Sequence, residues 1–419
     1  MDPSLIEAGL TAARRFGTPL YLYDLAQLRI DAAAVREVFP DPWLRLYSLK
    51  ANGLPSLVRE IAGQGFAASA VSGGEIALAR RAGLVEARIA LEGIGKSEGD
   101  LHRAARLAAD GRPLLWVSLE SAEEAAALAG LAARAGRRRA PAIEVLVRVN
   151  PQVAPETHAG LAVGSGTAKF GILAEELPAL IDAGGGPDGP LRWRGIHLHV
   201  GSQLGAIDAW RSALRVGLRL LELQRARLGE FDTLDAGGGF PAAMADDEPV
   251  PMLSHFAQAA EAEVSALPAA ARPSRMAIEP GRAVVARAGW LVGQVLHVRR
   301  REPPIVVLDA GMTELIRPAL YGARHPMVAM TSLGRAVNDD GAAAVEVRVD
   351  GPVCESTDTL GQTALPPLQR GDLVAIGMAG AYGSSMASTY NGRPRPAEVA
   401  FDDQGIVLLR RRGSTAGLP

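Results

Sequence analysis

From about residue 41 the chain alternates short runs of apolar and β-branched residues with longer stretches in which apolar residues recur every three or four positions. The short runs predict strands at 44–49, 67–71, 88–92, 114–119, 144–149, 193–199, 232–236 and 276–279. The longer stretches between them predict helices over 54–63, 73–82, 97–109, 121–135, 174–183, 208–228 and 252–266. Strand followed by helix is therefore the repeating unit. Eight such strands over ~230 residues fit a parallel (β/α)8 barrel of the TIM type better than an open doubly wound sheet.

After about residue 283 the texture changes to strands without long helices, at 290–299, 304–309, 326–332, 343–350, 372–378 and 397–411, which predicts a C-terminal antiparallel β-barrel or sandwich domain. Residues 18–24 read as a short strand ahead of the barrel that could pair with this domain. Asn338, Asp339, Asp340 and Gly341 mark a hairpin turn within 333–342, and 135–141 and 150–168 read as exposed connections. The chain has 419 residues, beyond the ~250–300 at which one hydrophobic core stops growing. Two domains are expected: a barrel over 25–283, and a β domain made of 284–419 with a contribution from 1–24.

Composition narrows the function. Basic and acidic side chains number 44 and 46, a net charge of -2, so no general electrostatic pull toward nucleic acid or an anionic membrane exists. The Arg triplets at 137–139, 299–301 and 410–412 read as solvated charge. No apolar run approaches the ~20 residues of a membrane span, and Met1-Asp2-Pro3-Ser4 lacks the pattern of a signal peptide, so a cytoplasmic protein is expected. Cys354 is the single cysteine, which excludes an internal disulfide. Lysine occurs only at 50, 96 and 169.

Active sites of (β/α)8 barrels lie at the carboxyl ends of the strands. Lys50 ends the first predicted strand and, of the three lysines, has the position most suited to desolvation at the barrel mouth; a depressed pKa would let it condense with a carbonyl cofactor. A strand-end lysine that simply reaches solvent is the competing reading. His197 and His199 alternate onto one side of their strand, but no cysteine or carboxylate cluster nearby in the sequence completes a metal site, and no metal is expected. Stacking on a flat cofactor suits His199 better. Gly237-Gly238-Gly239 follows one strand, and Glu279-Pro280-Gly281-Arg282 follows the last. Glycines let backbone N–H groups approach an anion and Arg282 supplies charge, so a phosphate is indicated, although turns need glycine too.

These motifs, taken in order, resemble the fold-type III pyridoxal-phosphate decarboxylases, which pair an alanine-racemase-like barrel with a β domain, and among them the diaminopimelate decarboxylases. The resemblance rests on Y-S-L-K-A-N at 47–52, V-S-G-G-E at 71–75, K-F-G-I at 169–172, H-V-G-S-Q at 199–203, D-A-G-G-G-F at 235–240 and E-P-G-R at 279–282. In the second domain it rests on D-A-G-M-T-E-L-I-R-P-A-L-Y at 309–321, G-P-V-C-E-S-T-D at 351–358 and the segment from Gly380 to Val399. It implies that Lys50 holds pyridoxal 5'-phosphate covalently and that His199 stacks on its ring. Ser202, Gly238, Gly239, Gly281 and Arg282 would cradle the phosphate, with Glu279 at the pyridine nitrogen, where a carboxylate keeps the ring protonated and electron-accepting.

The resemblance further places Arg282, Arg317 and Tyr321 on the substrate and Tyr382 on cofactor and substrate. It implies a homodimer in which Cys354 and Glu355 reach the partner's site, Cys354 as proton donor and Glu355 on the substrate's distal amine. Arg317 and Tyr321 suit a carboxylate and Glu355 an ammonium, so the substrate tail carries both groups. Meso-diaminopimelate satisfies that count, and the implied reaction is its decarboxylation to L-lysine and CO2. Two departures stand out: Ser69 where many relatives carry an acidic residue, and N-G-L-P after Lys50. They leave room for a relative acting on another carboxylate-bearing or carrier-bound amino acid. Alanine racemization is disfavoured by Glu279 and the C-E-S-T-D segment.

Overall fold

The structure, a computed structural model, describes residues 3–135, 142–164, 168–244, 248–337 and 343–417. The predicted connection over 135–141, part of the 150–168 loop and the predicted turn residues Asn338 to Gly341 therefore lie wholly or partly outside the described residues. The chain folds into two compact units, one of Met1–Asp31, Ala242–Glu248 and Val284–Pro419, the other of Ala32–Pro241 and Pro249–Ala283. Residues 25–31 and 242–248, placed with the barrel in the sequence reading, thus group with the first of these.

Strand β1 (Leu20–Asp24) precedes eight strands that close a parallel barrel: β2 (Leu44–Ser48), β3 (Ala67–Ala70), β4 (Ile89–Leu91), β5 (Trp116–Leu119), β6 (Ile143–Val149), β7 (Leu191–Leu198), β8 (Thr233–Asp235) and β9 (Arg275–Ile278). β9 returns to β2, so no edge is left exposed. The expected (β/α)8 fold is what the chain adopts. Leu46, Ala67, Ala90, Trp116, Leu146 and Ala277 pack into one core cluster. Three alanines there offset the volume of one indole, the large-against-small complementarity that close packing demands. Gly195 of β7 has the same origin: a Cβ would lie 1.8 Å from the Thr233 carbonyl oxygen of β8.

In the other unit a sheet runs, in spatial order, Thr359–Leu365, Val345–Asp350, β11 (Ile305–Leu308), β10 (Gly289–Arg299), β1, Ala397–Asp402 and Gly405–Arg410. Its strands are mostly antiparallel. β1 pairs antiparallel with β10 and parallel with Ala397–Asp402, so the segment before the barrel sits in the middle of this sheet. A helix over Pro3–Phe16 lays Leu5, Ala8 and Ala12 on Leu20, Leu22, Val292 and Val399. Gly9 permits that approach, since a Cβ there would meet the Met330 side chain at 2.1 Å. The tight turn near 333 is Leu333-Gly334, both with positive φ, between Thr331–Ser332 and Arg335–Ala336.

Candidate active site

In the barrel unit the chemistry collects where the sequence places it, beyond the carboxyl ends of the strands. Lys50 follows β2 and is exposed, with no hydrogen bond or ion pair to its ammonium among the described residues. This corrects one expectation: the desolvated lysine of the three is Lys96. Its ammonium is buried, bonded to the Gly93 carbonyl and paired with Glu124 at 3.2 Å. Lys169 lies over the Phe170 ring at 5.3 Å. Lys50 is the lysine left uncommitted, and its charge is felt by both Glu75 and His199.

His199 accepts the Gly238 N–H at Nδ1 (3.1 Å), which leaves its proton on Nε2. Desolvation, then the Lys50 charge, push its pKa well below the ordinary value, so the ring is neutral. The glycine run is obligatory here. A Cβ at Gly237, whose φ is 70°, would lie 2.1 Å from the Leu198 carbonyl oxygen, and one at Gly238 would lie 2.4 Å from that of Glu279. A Cβ at Gly281 would lie 3.1 Å from the Cβ atoms of both Ser48 and Ala51. The buried Arg282 donates to Ser202 Oγ at 3.1 Å, which joins the two suspected phosphate residues.

Glu279 is buried and its Oε2 lies 3.3 Å from His197 Nε2, while His197 Nδ1 lies 2.7 Å from Ser118 Oγ. Burial alone would raise the Glu279 pKa, but a hydrogen bond with Glu92 and the two imidazoles outweigh it and hold the group well below the usual carboxylate range. Desolvation lowers the His197 pKa despite Glu279, so this imidazole is neutral and the hydrogen bond, not a full charge pair, orients the carboxylate. The absence of carboxylates around His197 inferred from the sequence is corrected. Glu92, Asp235 and Glu279 converge on it from β4, β8 and β9, three segments far apart in the chain.

The remaining site residues belong to the other unit. Arg317 is buried at the start of a short helix, Arg317–Tyr321, with its guanidinium 5.4 Å from the Tyr321 ring and 5.7 Å from the Tyr382 ring. Tyr382 has a φ of 60°, a costly conformation for a bulky residue. Cys354 and Glu355 are exposed, and the Tyr390 hydroxyl donates to Glu355 Oε1 at 2.7 Å. The loop that carries them is latched by Asp358, whose two oxygens accept the N–H groups of Met312 (2.6 Å) and Val353 (2.7 Å). Tyr390 and Asp358 stand in motifs quoted for the family resemblance, yet nothing in their spacing marks their roles. Glu92 was detectable: it ends a predicted strand, the position that singled out Lys50.

An amine, a neutral imidazole, a buried carboxylate and a glycine, serine and arginine cradle, all within one unit, are the donors and acceptors a pyridoxal ring and its phosphate require. A family model described as "Pyridoxal-dependent decarboxylase, pyridoxal binding domain" matches residues 25–286. Barrel and site together thus define a pyridoxal-dependent decarboxylase. The diaminopimelate decarboxylase of Deinococcus radiodurans is 38% identical over 407 residues, covering 96% of this chain and 94% of its own length; that of Aquifex aeolicus is 33% identical over 402 residues, covering 96% and 90%. The crystal structure of diaminopimelate decarboxylase from Helicobacter pylori complexed with L-lysine superposes with a TM-score of 0.87 at 31% identity, covering 97% of both chains. This chain belongs to the diaminopimelate decarboxylase family.

Proposed function

We propose that the protein decarboxylates meso-diaminopimelate to L-lysine and CO2 with pyridoxal 5'-phosphate held at Lys50. The observation that carries the cofactor half is the buried, ionised Glu279 in the same unit as Lys50, His199 and the glycine and arginine cradle. When bound, pyridoxal phosphate supplies an electron sink for the pair left behind as CO2 departs. Glu279 fixes a proton on the ring nitrogen by offering it a carboxylate. Neutral His199 covers the ring without adding a positive charge. Ser202, the backbone at Gly238, Gly239 and Gly281, and Arg282 hold the phosphate, and Arg282 also meets the substrate.

Arg317 and Tyr321 donate to the substrate's distal carboxylate, Tyr382 borders cofactor and substrate, and Glu355 accepts from the distal ammonium. Holding both distal groups selects which bond breaks. The active form is a homodimer in which Cys354 and Glu355 of each subunit serve the partner's site; Cys354 delivers the proton that replaces CO2. The exposure of Cys354 and Glu355 supports that assignment, because a proton donor for a second chain has to stand at the surface. The test is CO2 release from a panel of amino acids. Meso-diaminopimelate is the expected substrate; release from ornithine, arginine or lysine alone would overturn the assignment of Arg317.

A further inference from the structure

Glu92 is a buried carboxyl with no part in the scheme above. It lies one residue past β4 and is 2% exposed. Its Oε2 accepts the Ser69 hydroxyl at 2.7 Å and its Oε1 faces the Trp116 indole N–H at 3.4 Å. One ligand atom from each of Glu92, His197, Asp235 and Glu279 falls within 4.8 Å of the others, and all four residues are buried. Three carboxylates cannot all be ionised in so small a volume: each like-charged pair at ~4 Å costs on the order of 4 kcal/mol at an effective dielectric constant of ~20.

Among the described residues no cation nearby is available to offset them. Arg148 is committed to Glu120 at 2.9 Å, and His197 is neutral. Protons must do it, and the hydrogen-bonding pattern says where one sits. Glu279 Oε1 is buried with no N–H or O–H donor, and a carboxyl oxygen of Glu92 lies within 4.8 Å of one of Glu279. Two carboxyls so close share a hydrogen bond only if one is protonated, and a proton on Glu92 would give Glu279 the donor it lacks. Glu279 meets the His197 imidazole, a base that can itself take up a proton and so favours an anion beside it, whereas the Ser69 hydroxyl and Trp116 indole that face Glu92 cannot.

We propose that Glu92 is held as a neutral carboxylic acid that donates its proton to Glu279, and so acts as the positioning residue that keeps the Glu279 carboxylate charged and fixed in place. Ser69 then gains a purpose: at a position where the sequence departs from the family pattern, its hydroxyl seats a carboxyl that arrives from residue 92. Burial, then the Glu279 charge, raise the Glu92 pKa well above the usual range, in keeping with this assignment. The titratable groups facing Glu92 are Glu279, Asp235 and His197, with His199 and the Arg148–Glu120 pair beyond them. Asp235 is also raised, by burial and then by Glu279, and accepts the Gly237 N–H at 2.9 Å.

The proposal deepens the reading of Glu279 and rests on it only for its catalytic meaning. The protonation state can be read without cofactor or substrate, so a failure of the pyridoxal assignment at Lys50 leaves it standing. A raised folded pKa means stability that is present below the unfolded carboxyl value of ~4.3 and is lost as pH rises through the folded value. Three proteins decide the matter: wild type, Glu92→Gln, which keeps a neutral donor, and Glu92→Ala, which removes it.

The infrared spectrum of the wild type near neutral pH is expected to contain a protonated-carboxyl C=O band that Glu92→Gln lacks. The fall in Tm as pH rises above the unfolded carboxyl value should be shallower in Glu92→Gln, which has no proton to lose. Pyridoxal phosphate affinity should stay within about threefold of wild type in Glu92→Gln and weaken roughly 10- to 100-fold in Glu92→Ala, the loss of one hydrogen bond to a charged group. Identical infrared spectra and identical pH slopes for wild type and Glu92→Gln would overturn the proposal, even if Glu92→Ala does not fold. Equal damage from Gln and Ala would show that an ionised Glu92 is required. A stoichiometric divalent cation retained by the wild type and lost from both variants would show a metal site instead.

Discussion

The two regions that hold the candidate site residues are built in opposite ways. At the carboxyl end of the barrel, Glu279, Arg282 and His197 are buried and bonded to side chains or backbone from other strands, and glycines stand wherever a Cβ would strike a carbonyl oxygen. In the β unit, Cys354 and Glu355 are exposed, and the Glu355 carboxylate is held by one hydrogen bond from Tyr390. Asp358 latches the loop that carries them through two backbone N–H groups. A site that holds one cofactor throughout turnover gains from such preorganisation as the barrel shows. On the proposed reading, Cys354 and Glu355 would complete their surroundings on assembly with a second chain.

That contrast orders the effects of substitution. Lys50→Ala is expected to abolish both the visible absorbance of the holoenzyme and CO2 release, since Lys96 and Lys169 are committed elsewhere. Cys354→Ala should leave the absorbance unchanged and cut turnover about 10²- to 10⁴-fold, the usual worth of a positioned acid. A mixture of the two inactive proteins should regain activity after subunit exchange; absence of recovery would count against a shared site. Gly238→Ala should cost about 1–3 kcal/mol of stability, measured by denaturant unfolding, because the barrel cannot yield to a Cβ 2.4 Å from the Glu279 carbonyl oxygen. The smallest change belongs to the exposed edge: Tyr390→Phe should raise KM for meso-diaminopimelate roughly 2- to 10-fold with little change in kcat, as one hydrogen bond is lost.

The same contrast governs how much can be read from the chain. Barrel strands are buried on both faces and read as continuous apolar runs, so β2 to β9 lie within two residues of the predicted segments at either end. The strand Thr359–Leu365 escapes prediction because only Leu360 and Leu365 are buried; Gly361, Gln362, Thr363 and Ala364 carry no alternating signal. The helix Pro3–Phe16 is missed for a related reason: its packing face is Leu5, Ala8, Gly9 and Ala12, too small to stand out as an apolar stripe. Lys50, Glu279 and the glycine run are legible because a barrel concentrates chemistry at strand ends. The neighbours that set the charge of Glu279 are not, since Glu92, His197 and Asp235 meet only when the barrel closes.

Borohydride reduction of the holoenzyme followed by peptide mapping tests the central claim most directly. A pyridoxyl group on the peptide that contains Lys50 is the expected result. A label on Lys96 or Lys169, or no covalent label in protein that releases CO2, would contradict it.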